Sequence, residues 1–267
     1  MHPGATPPVR MGRMVWEKEL EVARAAATQA GEIALRYQAQ GVEAEAKADE
    51  SPVTVADREC EKLISRILLE AFPDDGLLGE EGALKESRSG RRWIIDPVDG
   101  TRDFVRGSDT WGMLIALEAD SEVVAGVCHQ PAQKELYSAS RGAGALRNDD
   151  RVRVSEITSP SQSVLCVNGI NDIADLPFAG RLLEFTKQFW AVRSMGGCQD
   201  AMMVAGGRAE AWIEPSAKPW DLAPLKIIAE EAGARFFNFD GGSSIYGGNC
   251  ILCVPALEEL MRQFLGL

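Results

Sequence analysis

Trp93-Ile94-Ile95-Asp96-Pro97-Val98-Asp99-Gly100-Thr101 is the stretch on which the reading of this chain turns. The apolar run Arg91–Ile95 has strand character and ends at Asp96-Pro97, where proline fixes φ and removes the N–H a strand ladder needs. Asp96 and Asp99 fall three apart across this turn, with the Val98 carbonyl between them. Two carboxylates and a carbonyl are hard oxygen donors of the kind Mg²⁺ takes. Gly100 lets backbone approach an anion closely, and the N–H groups after it, at a helix start, can receive phosphate oxygens. Taken alone, the stretch reads equally as a turn with aspartate as its cap.

Other carboxylates lie outward from it. The short buried run Leu77–Gly79 delivers Glu80-Glu81. Thr54 starts a helix, Val55–Phe72, with Asp57 in its first turn. Asp221 follows Trp220 at the head of the apolar helix Leu222–Ala232. Each has an ordinary reading by itself: a solvated charge pair for Glu80-Glu81, and charges that complement helix dipoles for Asp57 and Asp221. Their joint occurrence is the informative feature.

Composition narrows the chemistry. The 267 residues are 45% hydrophobic and 25% charged, enough for a sizeable core and unlike disordered, collagenous or coiled-coil chains. Lys and Arg number 28 against 40 Asp and Glu, a formal charge of −12, which disfavours nucleic acid and anionic membrane as partners. An acidic chain that handles an anionic substrate needs local cations, which points to bound metal. Only His2 and His129 are present, so a multi-histidine zinc site cannot be built and a Ser-His-Asp triad could use only His129. His129 itself reads as a structural residue at a strand end. Chemistry would fall to carboxylates and hydroxyls.

No secretory signal is visible near Met1 and no apolar run reaches the roughly 18 residues of a membrane span. The six cysteines lie in apolar runs, so a cytoplasmic chain with reduced thiols is expected; Cys250 and Cys253 read as buried residues facing opposite sides of a strand. Residues 1–13 read as a flexible leader, and 14–267 as one domain with lobes at about 14–155 and 156–267.

Helical spacing marks Trp16–Tyr37, and Val42–Lys47 suggests a short strand. The antiparallel middle is expected from strands at Trp111–Leu117, Val123–His129, Glu135–Ala139 and Val152–Val154. From Val164–Val167 onward, helices at Leu182–Phe189, Cys198–Ala205, Leu222–Ala232 and Ala256–Phe264 alternate with strands at Ala209–Ile213, Ala234–Phe237 and Gly248–Val254. Layers of helix on sheet on helix are the natural packing.

Gly79-Glu80-Glu81, then Trp93–Phe104, then Trp220-Asp221-Leu222-Ala223, in that order, resemble the inositol monophosphatase superfamily from about Trp16 onward. The resemblance implies an α/β fold, an αβαβα sandwich of the inositol monophosphatase and fructose-bisphosphatase type. It implies a homodimeric phosphoric monoester hydrolase with two or three Mg²⁺ ions per site. The first ion would fall to Glu80, Asp96 and the Val98 carbonyl, and the second to Asp96, Asp99 and Asp221. A third would lean on Glu80 and water. Asp57 and Thr101 match the pair that orients the attacking water, with Glu80 beside them. Gly100 and Thr101 N–H groups would hold phosphate, and Asp99, Gly196, Gly197, Glu214 and Asp221 would meet the substrate.

Phe104-Val105-Arg106-Gly107, Trp111–Leu117 and Arg193–Gly196 are most similar to the histidinol-phosphatase branch, whose pathway is histidine biosynthesis. The chain departs from that branch at Gly197, where an acidic residue is usual, and at Cys253-Val254, where Thr-Asn is usual. Histidinol phosphate is thus the first substrate reading, with inositol 1-phosphate or a range of sugar-alcohol phosphates as the alternative. A silent scaffold would have a broken metal set, whereas Glu80, Asp96, Asp99, Thr101 and Asp221 are all present.

Overall fold

The computed structural model describes residues 16–41, 43–46 and 52–267. The leader at 1–13, with His2, and parts of the Val42–Lys47 strand lie outside the described residues. The described residues begin with α1 (Glu17–Gln40), β1 (Glu45–Ala46), β2 (Pro52–Val53), α2 (Val55–Ala71), β3 (Gly76–Gly79), β4 (Leu84–Lys85), β5 (Arg91–Asp99) and α3 (Thr101–Val105). The meander β6 (Gly112–Ala119), β7 (Glu122–Gln130), β8 (Glu135–Ser140), β9 (Gly144–Arg147) and β10 (Asp150–Val152) follows. The second half runs β11 (Val164–Val167), α4 (Ile170–Ile173), α5 (Ala179–Thr186), β12 (Ala191–Arg193), α6 (Gly197–Ala205), β13 (Ala211–Glu214), α7 (Pro219–Ala232), β14 (Arg235–Phe237), β15 (Cys250–Cys253) and α8 (Glu258–Leu265).

An eight-stranded sheet has the order β10-β9-β8-β7-β6-β5-β3-β4, and a five-stranded sheet the order β12-β11-β13-β15-β14. Both are apolar on two faces, and the period-2 alternation of a strand sorts their side chains into separate cores. Trp93 and Ile95 of β5, with Met113, Ile115 and Leu117 of β6, pack beneath α1 and α2. Ile94, Leu114 and Ala116 point the other way, into a middle core with α6, α7, and Trp212 and Leu252 of the smaller sheet. Ala211, Ile213, Ile251 and Cys253 fill a third core under α5 and α8. The result is helix, sheet, helix, sheet, helix, the αβαβα arrangement.

Close approach explains one glycine. A Cβ on Gly126 of β7 would stand 2.4 Å from Ile227 and 3.0 Å from the Pro224 carbonyl, so its absence lets α7 lie directly on the large sheet. His129 packs on α1, its Nδ1 3.0 Å from the Ala27 carbonyl oxygen, and burial lowers its pKa. Cys250 faces the middle core and Cys253 the outer one, both buried.

Several boundaries differ from the sequence reading. β5 continues past Asp96 to Asp99, and its register against β6 shifts between those residues, so Pro97 and Val98 form a bulge. Proline is tolerated in a strand at such a point, because no ladder N–H is required there. The middle strands β6 to β10 are antiparallel throughout, as expected, whereas β3 before them runs parallel to β5. β10 ends at Val152, where a strand to Val154 was expected, and α5 spans Ala179–Thr186, where Leu182–Phe189 was expected. No helix among the described residues is long and apolar enough to cross a membrane.

Candidate active site

The site forms where the bulge at the end of β5 meets the N-termini of α6 and α7. Extension of β5 through the bulge puts Asp96 and Asp99 on one side of the strand end. Val98 N–H donates to Asp96 Oδ1 at 3.0 Å, which fixes one oxygen of a carboxylate that is 2% exposed. Asp221 lies in the first turn of α7 and accepts the Lys218 N–H at 2.7 Å through Oδ2. Cys198 N–H, in the first turn of α6, donates to Asp99 Oδ2 at 2.8 Å. One carboxylate oxygen from each of Asp96, Asp99 and Asp221 lies within 4.8 Å of the others. Parallel pairing of Gly79 with Ile95 carries Glu80 to the same place, and Glu80 N–H donates to the Ile95 carbonyl at 3.1 Å.

These acids are costly neighbours without a cation. Burial is the main cause that raises the pKa values of Asp96, Asp99 and Asp221, and repulsion from neighbouring acids adds to it. Asp96 is held well above the carboxylate range by burial and by Glu80, Asp99 and Asp221. Asp99 is raised by burial in spite of the Cys198 hydrogen bond. Asp221 is pushed up to about 8 by burial and then by the charge of Asp99. An all-oxygen donor set of convergent carboxylates whose protons are held this strongly fits a hard divalent cation.

Glu80, Asp96, Val98, Asp99, Gly100, Thr101, Gly196, Gly197, Glu214 and Asp221 all line one cavity of about 330 Å³. Gly100 holds φ at +83°, and a Cβ there would lie 3.0 Å from the Thr110 carbonyl, so both conformation and space call for glycine. Gly196 and Gly197 present bare backbone at the start of α6. Glu214 is buried, its pKa pushed up to about 7 chiefly by burial, and it accepts from Asn168 Nδ2 at 2.6 Å and from Ser216 N–H at 3.1 Å.

Asp57 is the one predicted residue that does not line the cavity. It is 1% exposed and stands behind Thr101, whose hydroxyl lies 3.3 Å from Asp57 Oδ1 and 3.1 Å from the Val98 carbonyl. Its other oxygen caps α2, accepting Thr54 N–H at 2.8 Å and the Thr54 hydroxyl at 2.5 Å. One carboxylate thus both caps α2 and meets the Thr101 hydroxyl.

Sequence reasoning missed Asn168, Asp103 and Ser216 on the cavity wall, and the Cys198 N–H on Asp99. Asp103 falls inside the Trp93–Phe104 motif, where no local feature assigns it a role. Asn168 follows a four-residue strand, and no local pattern links it to Glu214, 46 positions away.

The sequence pattern described as the inositol monophosphatase family matches residues 15–265. The chain belongs to the inositol monophosphatase family. It is a phosphatase of that family, a phosphoric monoester hydrolase. A histidinol-phosphatase of Chlorobaculum parvum is 40% identical over 86% of this chain and 89% of its own length. An inositol-1-monophosphatase of Rhizobium meliloti is 32% identical over 84% of this chain and 88% of its own. Among solved structures, the extragenic suppressor protein suhB of Bartonella henselae superposes with a TM-score of 0.86 at 30% identity, covering 94% of this chain and 99% of that one.

Proposed function

We propose that this family member is a Mg²⁺-dependent phosphomonoesterase that splits histidinol phosphate into histidinol and inorganic phosphate. The observation that carries the metal half is the convergence of Asp96, Asp99 and Asp221 within 4.8 Å, with Glu80 beside them on the same cavity. Glu80, Asp96 and the Val98 carbonyl would hold one ion, and Asp96, Asp99 and Asp221 a second, with Glu80 and water serving a third. The bound ions would supply the positive charge that offsets the phosphate dianion, acidifies water and stabilises the leaving alkoxide.

The chain's own groups do the positioning. Gly100, in its left-handed conformation, turns the backbone so that its own and the Thr101 N–H can meet phosphate oxygens. The Thr101 hydroxyl faces the cavity and orients the attacking water. Asp57 acts through Thr101: with Oδ2 occupied by Thr54, its Oδ1 is the acceptor left for the Thr101 hydroxyl, and it holds the proton that moves out along this pair. Gly196 and Gly197 leave room for the alcohol portion, and Glu214, fixed by Asn168 and Ser216, meets it. Single-domain organisation over 14–267, a homodimeric state and a cytoplasmic setting belong to the same reading.

Histidinol phosphate is preferred because histidinol-phosphatases of Chlorobaculum parvum and Mycobacterium tuberculosis are 40% and 35% identical to this chain. Inositol 1-phosphate is the second reading, supported by the Rhizobium meliloti relative. Parallel assays of phosphate release decide between them: kcat/KM at least tenfold higher on histidinol phosphate is expected, and the reverse order would overturn the substrate.

A further inference from the structure

The cavity that holds the candidate metal cluster carries six carboxylates, Glu80, Asp96, Asp99, Asp103, Glu214 and Asp221, against one basic side chain, Arg102. In the metal reading, four of the six face cations. Two Mg²⁺ ions balance those four carboxylates and leave nothing for the phosphate. A third ion balances the phosphate dianion and leaves nothing further. In either case Arg102 offsets at most one of the two remaining acids, Asp103 and Glu214, and the wall that meets the alcohol stays acidic.

Neither of the two has a cationic partner among the described residues. Asp103 sits in the first turn of α3 and accepts from the Thr110 side chain. Among the described residues no lysine or arginine pairs with it. Glu214 has its oxygens fixed by two neutral donors, Asn168 Nδ2 and Ser216 N–H. The backbone between them is bare: a Cβ at Gly196 would lie 3.5 Å from Asp103 Oδ2, and one at Gly197 would lie 3.1 Å from Asp99 Oδ1. The absence of a side chain at Gly196 leaves this side of the Asp103 carboxylate uncovered towards the cavity. A neutral polyol can donate hydrogen bonds to these acids but brings no charge. An ammonium or imidazolium makes charge-assisted hydrogen bonds, roughly twice as strong as neutral ones.

We propose that Asp103 is a specificity-determining residue which, with Glu214, selects phosphate monoesters whose alcohol carries an ammonium or imidazolium group. This rests on the metal reading of the same cavity and adds a residue and a charge to it. The test compares kcat/KM on histidinol phosphate, whose alcohol is cationic, with kcat/KM on inositol 1-phosphate, whose alcohol is neutral. Wild type, Asp103→Asn and Asp103→Glu are assayed at saturating Mg²⁺. Wild type favours the cationic ester. In Asp103→Asn the ratio of the two constants falls at least tenfold, with most of the change in KM for the cationic ester. Asp103→Glu, which keeps the charge, recovers part of the ratio. A purely structural role would lower both constants together and leave the ratio unchanged, which would overturn the proposal, as would wild-type preference for the neutral ester. If wild type released phosphate from neither ester with Mg²⁺, the metal reading would fall and this proposal with it. Turnover of both with a ratio indifferent to Asp103 would overturn the proposal alone.

Discussion

Cys198 N–H donates to Asp99 Oδ2 at 2.8 Å, joining residues 99 positions apart. The donor opens α6 and the acceptor closes β5, so the second half of the chain holds a carboxylate supplied by the first. Both N–H direction and helix dipole favour an anion at that point.

Removal of this donor tests its weight. Cys198→Pro deletes the N–H in a first helical turn, where proline is best accepted in a helix. Cys198→Ala deletes the thiol and keeps the N–H. The Mg²⁺ concentration for half-activation is expected to rise about tenfold more in the proline variant than in the alanine variant, matching roughly 1.4 kcal/mol for a hydrogen bond to a charged group. Equal shifts in the two variants would show that the N–H contributes nothing to metal binding.

Asp96 is proposed to face both ions, so Asp96→Asn removes charge from two sites at once. A loss of about a thousandfold in kcat is expected, roughly 4 kcal/mol in the barrier. The metal-free variant should be at least as stable as wild type, because a buried and repelled carboxylate is gone. Retention of a tenth of wild-type activity would contradict the assignment.

Asp57 and Thr101 are expected to act as a unit. Thr101→Ala and Asp57→Asn should each lower kcat about a hundredfold, roughly 2.7 kcal/mol, while KM changes little. The double variant should be scarcely worse than either single one. Asp57→Asn should also cost about 1 kcal/mol of stability, since the same carboxylate caps α2. Stability loss with normal kcat would assign Asp57 to the cap alone.

Asp200 sets a pH dependence. It is fully buried in α6, accepts Met195 and Gly196 N–H groups, and has its pKa pushed up to about 6, chiefly by burial. A carboxyl raised from its ordinary value near 4 stabilises the fold most below pH 4, and that contribution is lost as pH rises through 6. The span is about 2 units, or roughly 3 kcal/mol. Denaturant unfolding of wild type and Asp200→Asn at pH 4.5 and 7.5, both without metal, isolates it. Wild type should lose more stability than the variant over this interval, and identical losses would show that Asp200 does not titrate as described.

The parts of the fold that depend on local pattern were legible in the sequence. The alternation in Trp93-Ile94-Ile95 and the 3.6-residue periodicity of α1, α2 and α7 need only neighbouring residues to be read. β4, β9 and β12 were missed because two to four residues carry no usable period, and their existence depends on a partner strand. The bulge at Pro97 was taken for a strand end, because the sequence shows the missing N–H but not the resumption of pairing at Asp99 with Gly112. The candidate site divides in the same way. The acids of the motifs were found, whereas Asn168, the Cys198 donor and the open face of Asp103 arise only from the approach of the two sheets.

The central claim is that the Asp96, Asp99 and Asp221 cluster works through a divalent cation. It is tested most directly by phosphate release from histidinol phosphate in excess chelator, followed by titration with Mg²⁺. Loss of turnover in chelator and its full return with Mg²⁺ is the expected result. Undiminished turnover in excess chelator would contradict the claim.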